Sequence, residues 1–248
     1  MIVKNIIFDL DNTLYSPTSA MDAGITRRMM QAVADFFGLG ADDAAALRRK
    51  NVPRFSTTLE WLRSEGLKDI EGYFAKVHPD NEADELTPDP NLRPFLQSLA
   101  QNKIILTNAP REHADRVLKK LKVADLFCAV VDIRACGLLG KPYAGSYKIA
   151  LEKCGGTIDD TIFLDDQYKY TDGFVALGGT ALLVGNKNGS HLRPDSAAVN
   201  KELPPHPGRT LKIDSVYDLP QILESLLRCE NVFRIAKGTS QGLERSVP

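Results

Sequence analysis

The chain has 248 residues, 43% of them hydrophobic and 25% charged, which places it among ordinary globular proteins able to bury a core without staples. Lys and Arg number 31 against 32 Asp and Glu, a net charge of -1 with no basic excess to displace counterions from a phosphate backbone, so no nucleic-acid partner is expected. No apolar stretch approaches the about 20 residues that span a bilayer, and the short run at the start is broken by Lys4 and Asn5, so neither a membrane span nor a signal segment is expected. Cys128, Cys136, Cys154 and Cys229 form no C-x-x-C pair, which suits free thiols in a reducing cytoplasm better than a zinc site.

Five short runs rich in Ile, Leu and Val follow one another at 2–8, 103–107, 128–133, 161–164 and 180–184. Each is continuous rather than alternating, as expected for strands buried on both faces. Between them lie apolar stripes at helical spacing: Ala114, Val117, Leu118 and Leu121, then Tyr147, Ala150, Leu151 and Cys154, then Phe174 and Leu177 before the stop Gly178-Gly179. Strand and helix in alternation predict a parallel sheet in a doubly wound α/β domain. The interval 16–92 differs, reading as helices without strands; Ile25, Met29, Val33, Phe36 and Phe37 make one stripe, and Leu59 and Leu62 belong to another. It is too long for one crossover and is read as an inserted helical subdomain, with 87–94 as the hinge back to the core. The polar segment 186–209 is expected to be a long surface loop, 210–213 a last short strand and 216–228 a final helix; the tail from 229 to 248 carries no pattern.

The chemistry-bearing residues fall at the ends of these runs. The first ends in Asp9-Leu10-Asp11-Asn12-Thr13, two carboxylates where open α/β sheets bind ligands. The second ends in Thr107-Asn108, a hydroxyl and an amide at a helix start, where free N–H groups favour anions. Gly140-Lys141-Pro142 follows the third run and Asp165-Asp166 ends the fourth. Each alone is also what a strand end or helix cap looks like. Together they converge on one crevice, where four carboxylates would repel one another unless a cation lay among them. Oxygen-only donors point to Mg²⁺, and Lys141 with the Thr107 hydroxyl would receive an anion such as phosphate.

In this order, D-x-D-x-T, Thr-Asn, Lys-Pro and Asp-Asp, the motifs resemble the haloacid dehalogenase (HAD) superfamily of phosphohydrolases over about residues 3–185. The resemblance implies a Rossmann-like core, residues 1–15 and 93–228, with strand order 5-4-1-2-3, and a helical cap at 16–92. It implies that Asp9 attacks phosphorus to form an aspartyl-phosphate and that Asp11 is acid and then base. Leu10, Thr107, Asn108 and Lys141 bind the phosphate, while Asp9, Asp11 and Asp166 hold Mg²⁺, with Asp165 acting through water. Members that cleave carbon–halogen bonds lack an acid at the position of Asp11, so phosphate chemistry is favoured.

Finer strings are similar to the pyrimidine 5′-nucleotidase branch: Leu10-Asp11-Asn12-Thr13-Leu14-Tyr15, Thr107-Asn108-Ala109 with His113-Ala114 and Arg116-Val117, Asp132-Ile133, Arg27-Arg28-Met29 and Thr57-Thr58-Leu59. They imply a nucleoside monophosphatase acting on small phosphate esters of the UMP or CMP kind. Pro110 and Tyr168-Lys169-Tyr170 depart from that branch, Tyr170 taking the place of an Asn that braces the metal loop. Arg54, Thr57 and Thr58 are the candidate specificity residues of the cap; Trp61 is read as cap core, His78 as a helix end, and His113 as a structural hydrogen-bonding residue. The alternatives are a sugar-phosphate phosphatase, a phosphomutase of the β-phosphoglucomutase kind, and a non-catalytic regulator on the same scaffold. Sequence leaves the oligomeric state open.

Overall fold

The computed structural model describes residues 2–16, 19–185 and 208–227; the segment 186–207, the tail from 228 and Cys229 lie outside them. Six parallel strands form one sheet: β1 (Asn5–Phe8), β2 (Asn102–Leu106), β3 (Ala129–Val131), β4 (Thr161–Asp165), β5 (Thr180–Val184) and β6 (Arg209–Ile213). Their spatial order is β3-β2-β1-β4-β5-β6. The expected five-strand order is present, and the run at 210–213 adds a sixth strand at the β5 edge.

The continuous apolar runs arise because successive side chains of each strand feed opposite faces. Ile6, Phe8, Ile105, Ile162 and Leu164 point into one buried cluster, whereas Ile7, Ile104, Leu106 and Phe163 point into another. The first face is covered by α6 (Arg111–Lys120) through Ala114, Val117 and Leu118, and by a helix at residues 219–227 through Leu219, Leu223 and Leu226. The second is covered by α7 (Ala144–Cys154) and α8 (Tyr168–Val175), whose Tyr147 and Phe174 meet Phe163 edge-on or tilted at 5.4 and 5.5 Å.

Between β1 and β2 the chain runs through α1 (Ala20–Phe37), α2 (Ala41–Asn51), α3 (Thr58–Ser64) and α4 (Ile70–Val77), then α5 (Leu92–Ser98). Ser19, Thr57 and Asp69 cap α1, α3 and α4 by accepting a backbone N–H in the first turn. Gly38 ends α1 in the left-handed region at φ 66°, where a side chain would be strained. Trp61 is buried and stacks on Phe37 at 5.3 Å, so it belongs to the core of this helical insert. Tyr143 Oη donates to Glu60, and Arg134 pairs with Glu71, so the insert is fastened to the sheet domain at separate points.

β1 lies between β2 and β4, with Phe8 in register with Ile105 and Leu164. Asp9 therefore leaves the sheet at its centre, and its N–H still bonds Leu164 O at 2.8 Å. Because Phe163 is fully buried under that point, Phe163→Ala is expected to cost about 3–5 kcal/mol, read as a lower urea midpoint with an unchanged slope.

Candidate active site

The ends of β1, β2 and β4 and the loop after β3 meet at one side of the sheet. Lys141, which is 1% exposed, places Nζ 2.5 Å from Asp9 Oδ1 and 2.6 Å from Asp165 Oδ2. An ammonium in such a place is tolerable only because two carboxylates surround it. Thr13 donates to the other oxygen of Asp9 at 3.1 Å. The Lys141 backbone is held as well: Asn108 Nδ2 donates to Lys141 O at 2.9 Å, and Lys141 N donates to Asn108 Oδ1 at 2.8 Å. The Asn108 side chain, expected to bind phosphate, is thus committed to fixing the Lys141 loop. Thr107 is buried beside it, its Oγ1 accepting the Ala109 N–H at 3.0 Å, which leaves its own hydroxyl hydrogen to donate.

Asp166 is half-buried, with Oδ2 bonded by Gln167 Nε2. Both oxygens of Asp165 are engaged, one by Lys141 and one by Gln167 N at 2.8 Å. Burial pushes the carboxyls of Asp9 and Asp165 above their ordinary value, with Lys141 opposing the rise. Asp166 is pushed up to about 7 by burial, reinforced by Asp9. One oxygen from each of these three lies within 4.8 Å of the others. Three carboxyls face one ammonium, an imbalance that a divalent cation would relieve, and the all-oxygen donor set suits Mg²⁺.

Asp11 lives in a different environment. Its Oδ1 accepts from Tyr15 Oη at 2.5 Å and from His113 Nε2 at 2.7 Å. The other ring nitrogen of His113, Nδ1, faces Glu82 Oε1 at 2.7 Å. With a carboxylate on each nitrogen, both must carry hydrogen, and the ring is an imidazolium. Burial opposes that charge, but Asp11 and Glu82 raise His113 to about 10. In return, Asp11 is lowered, since His113 and Tyr15 outweigh the burial that would raise it. Two carboxylates two residues apart are therefore driven in opposite directions, the arrangement expected where they have different tasks.

Asp9, Asp11, Thr107, Asn108, Lys141 and Asp166 line a cavity of about 1450 Å³ between the sheet and the helical insert. Of the three candidate specificity residues, Thr57 and Thr58 line it, whereas Arg54 is exposed and does not. Its place is taken by Arg48, whose guanidinium bonds Thr58 Oγ1 at 3.0 Å and Met29 Sδ at 3.3 Å. Arg54 falls in the short 3₁₀ turn Val52–Arg54 after α2, which turns its position outward. Arg48 is six residues earlier, near the end of α2, beside a run of charged residues that gives the sequence no means of singling it out. Tyr170 Oη and Lys169 Nζ both donate to Ser56 O, at 2.8 and 2.7 Å. Tyr170 therefore forms the cavity rim and joins it to the insert, and its ring lies 5.0 Å from Lys141 Nζ. Pro110 precedes the first turn of α6, which is also secured by Asp132 accepting the Arg111 N–H.

A parallel sheet with a helical insert and an acidic centre at the end of its middle strand defines a hydrolase class, and the sequence profile of the haloacid dehalogenase-like hydrolases matches residues 3–177. The protein belongs to that family. It is 28% identical over 137 residues to Phosphate metabolism protein 8 of Saccharomyces cerevisiae, a match over 50% of this chain and 41% of the yeast protein. The chain thus matches about two fifths of the length of that relative. In structure it resembles a HAD phosphatase from Thermococcus onnurineus, at TM-score 0.60 and 18% identity over 90% of this chain and 98% of the other. It also resembles the L-2-haloacid dehalogenase of Xanthobacter autotrophicus, at TM-score 0.57 and 19% identity over 90% and 99%. Among the described residues, no helix is long and apolar enough to cross a membrane.

The Asn108–Lys141 bracket gives a direct test. A Cβ at Gly140 would lie 2.0 Å from Asn108 Oδ1 and 2.8 Å from Ile133 Cδ1. Gly140→Ala is expected to displace the lysine loop and cut hydrolytic turnover at least tenfold while thermal unfolding stays cooperative, as read by calorimetry beside an activity assay.

Proposed function

We propose that this hydrolase is a Mg²⁺-dependent phosphomonoesterase that works through an aspartyl-phosphate on Asp9, with a pyrimidine nucleoside 5′-monophosphate as its preferred substrate. The observation that carries the reading is the pairing of Asp9, braced by Lys141, with a second carboxylate, Asp11, braced separately by His113. A dehalogenase needs only the first. The relative named for phosphate metabolism supports the same reaction class.

Asp9, Asp166 and the backbone carbonyl of Asp11 would hold the cation, with Asp165 acting through water. When bound, it neutralises charge on the phosphoryl oxygens. In the first displacement an Asp9 carboxylate oxygen bonds phosphorus as the ester oxygen leaves, taking a proton from Asp11. In the second, water bonds phosphorus, its proton passes to Asp11, and the bond to Asp9 breaks to release phosphate and restore the carboxylate. Splitting the reaction in this way replaces one difficult step by two easier ones. Leu10, Thr107, Asn108 and Lys141 receive the phosphoryl oxygens, Asn108 through its backbone, since its side chain is occupied. At neutral pH the imidazolium of His113 favours ionised Asp11, the form that takes a proton from water; the acid form is the minority species.

The helical segment 16–92 acts as the cap over the core formed by 1–15 and 93–228. Its size and lining support a nucleotide: the cavity exceeds that of common small-ligand sites, and it offers Tyr73, Phe74 and Tyr170 as aromatic surface, with the Arg48 guanidinium and the Thr57 hydroxyl as hydrogen donors.

The reading is tested by phosphate release from a panel of nucleotides, sugar phosphates and p-nitrophenyl phosphate, with Mg²⁺ and with EDTA. Mg²⁺-dependent release favouring UMP or CMP, lost by at least 10³-fold in Asp9→Asn, is the expected result. Preference for a sugar phosphate would keep the mechanism and discard the nucleotidase. Activity that survives Asp9→Asn would discard the mechanism.

A further inference from the structure

Behind Asp11, on the side away from Asp9, lies a buried polar chain that the phosphoryl-transfer reading does not use. His113 is fully buried and Glu82 is 1% exposed. Glu82 lies in the 3₁₀ turn Glu82–Glu85 on the way back from the helical insert, 31 residues before His113 in sequence. Around Glu82 gather three donors, His113 Nδ1 at 2.7 Å, His78 Nδ1 at 3.0 Å and the guanidinium of Arg116 at 2.8 Å, with the Arg28 guanidinium in a longer ion pair at 3.8 Å. Arg116 also donates to His78 O and Arg28 to Val77 O, which anchors the cluster to the end of α4.

His78, Glu82 and His113 could be taken for metal ligands by their spacing alone. The charges say otherwise. Two guanidiniums already compensate Glu82, and His113 presents its other nitrogen to Asp11, so a dication would meet positive neighbours on several sides. The cluster is a hydrogen-bonded ion network centred on Glu82, and a buried network of that kind fixes the orientation of what it holds.

What it holds is Asp11. Both His113 Nε2 and Tyr15 Oη converge on the single oxygen Oδ1, so among the described residues Oδ2 is left to exchange a proton. His113 cannot turn without breaking its bond to Glu82, and Glu82 cannot move without stranding two histidines and Arg116. We propose that Glu82 and His113 form a positioning pair that fixes the Asp11 carboxylate with Oδ2 directed to the water that hydrolyses the aspartyl-phosphate. The inference rests on Asp11 being the acid/base of the reaction proposed above. Neither residue touches the substrate; both act through Asp11.

The two displacements respond differently to such a device. With p-nitrophenyl phosphate the leaving group needs no proton, so the first displacement does not call on Asp11. The second still needs Asp11 to take a proton from water. Glu82→Gln and His113→Asn are therefore expected to lower kcat on p-nitrophenyl phosphate about tenfold or more, with KM falling in parallel and kcat/KM held within about twofold. A burst of p-nitrophenol stoichiometric with enzyme should precede the slow steady state. Arg116→Gln loosens the outer end of the same chain at a half-buried position and should give a smaller change of the same kind, which keeps the test open if either buried variant fails to fold. Equal losses in kcat and kcat/KM without a burst would overturn the inference, as would unchanged kcat in folded variants. A wild-type enzyme inert on every ester would instead remove the phosphatase reading, and the inference with it. An active wild type with insensitive variants removes the inference alone.

Discussion

The site is organised around one buried ammonium. Lys141 is almost inaccessible to water, and such a charge persists only where opposite charges repay its lost hydration. Asp9 and Asp165 do so from two neighbouring strands, and Lys141 joins them from the loop that follows a third. The same ammonium moderates the repulsion that would otherwise neutralise the acidic cluster by protonation. Three crossovers of the sheet are thereby tied at one point, and the orientation of Asp9 is set by the contact that makes the fold consistent there.

Asp9 and Asp11 are two residues apart and nonetheless experience opposite fields. Asp9 is raised by burial among carboxylates; Asp11 is lowered by the imidazolium behind it. The difference comes from the geometry of a strand end. Asp9 is still hydrogen-bonded to β4, while Asp11 has turned away toward α6 and the return of the insert. One short motif thus meets two separate support structures, an ammonium from the sheet domain and a histidine–glutamate pair that reaches into the inserted segment. This division lets two adjacent carboxylates keep different environments without sharing a partner.

The insert contributes more than a cover. Ser56 accepts hydrogen bonds from both Lys169 and Tyr170, and Tyr170 also presents its ring to Lys141. A residue that departs from the branch pattern has therefore become the connection between the acidic centre and the cavity wall. Arg48, with neutral Thr58 and Met29 as its partners, gives that wall a cationic donor.

Much was legible in the order of residues. Continuous apolar runs marked the strands, because a parallel sheet covered on both faces has no polar side to show. Chemistry-bearing residues at the run ends marked the site, because open α/β sheets bind ligands at their strand C-termini. The missing strands between 16 and 92 marked the helical insert. These are local or periodic signals, so the sequence by itself determined the fold class, the insert and the residues of the acidic centre. Tertiary structure decided the rest: that Asn108 grips the Lys141 backbone, that Arg48 rather than Arg54 lines the cavity, and that His113 joins Asp11 to Glu82 across 102 and 31 residues of chain. None of those has a period or a motif. Each depends on which side chains are brought within about 3 Å by packing of segments far apart in the chain, and distances of that kind are fixed only once the sheet and the insert have closed on each other.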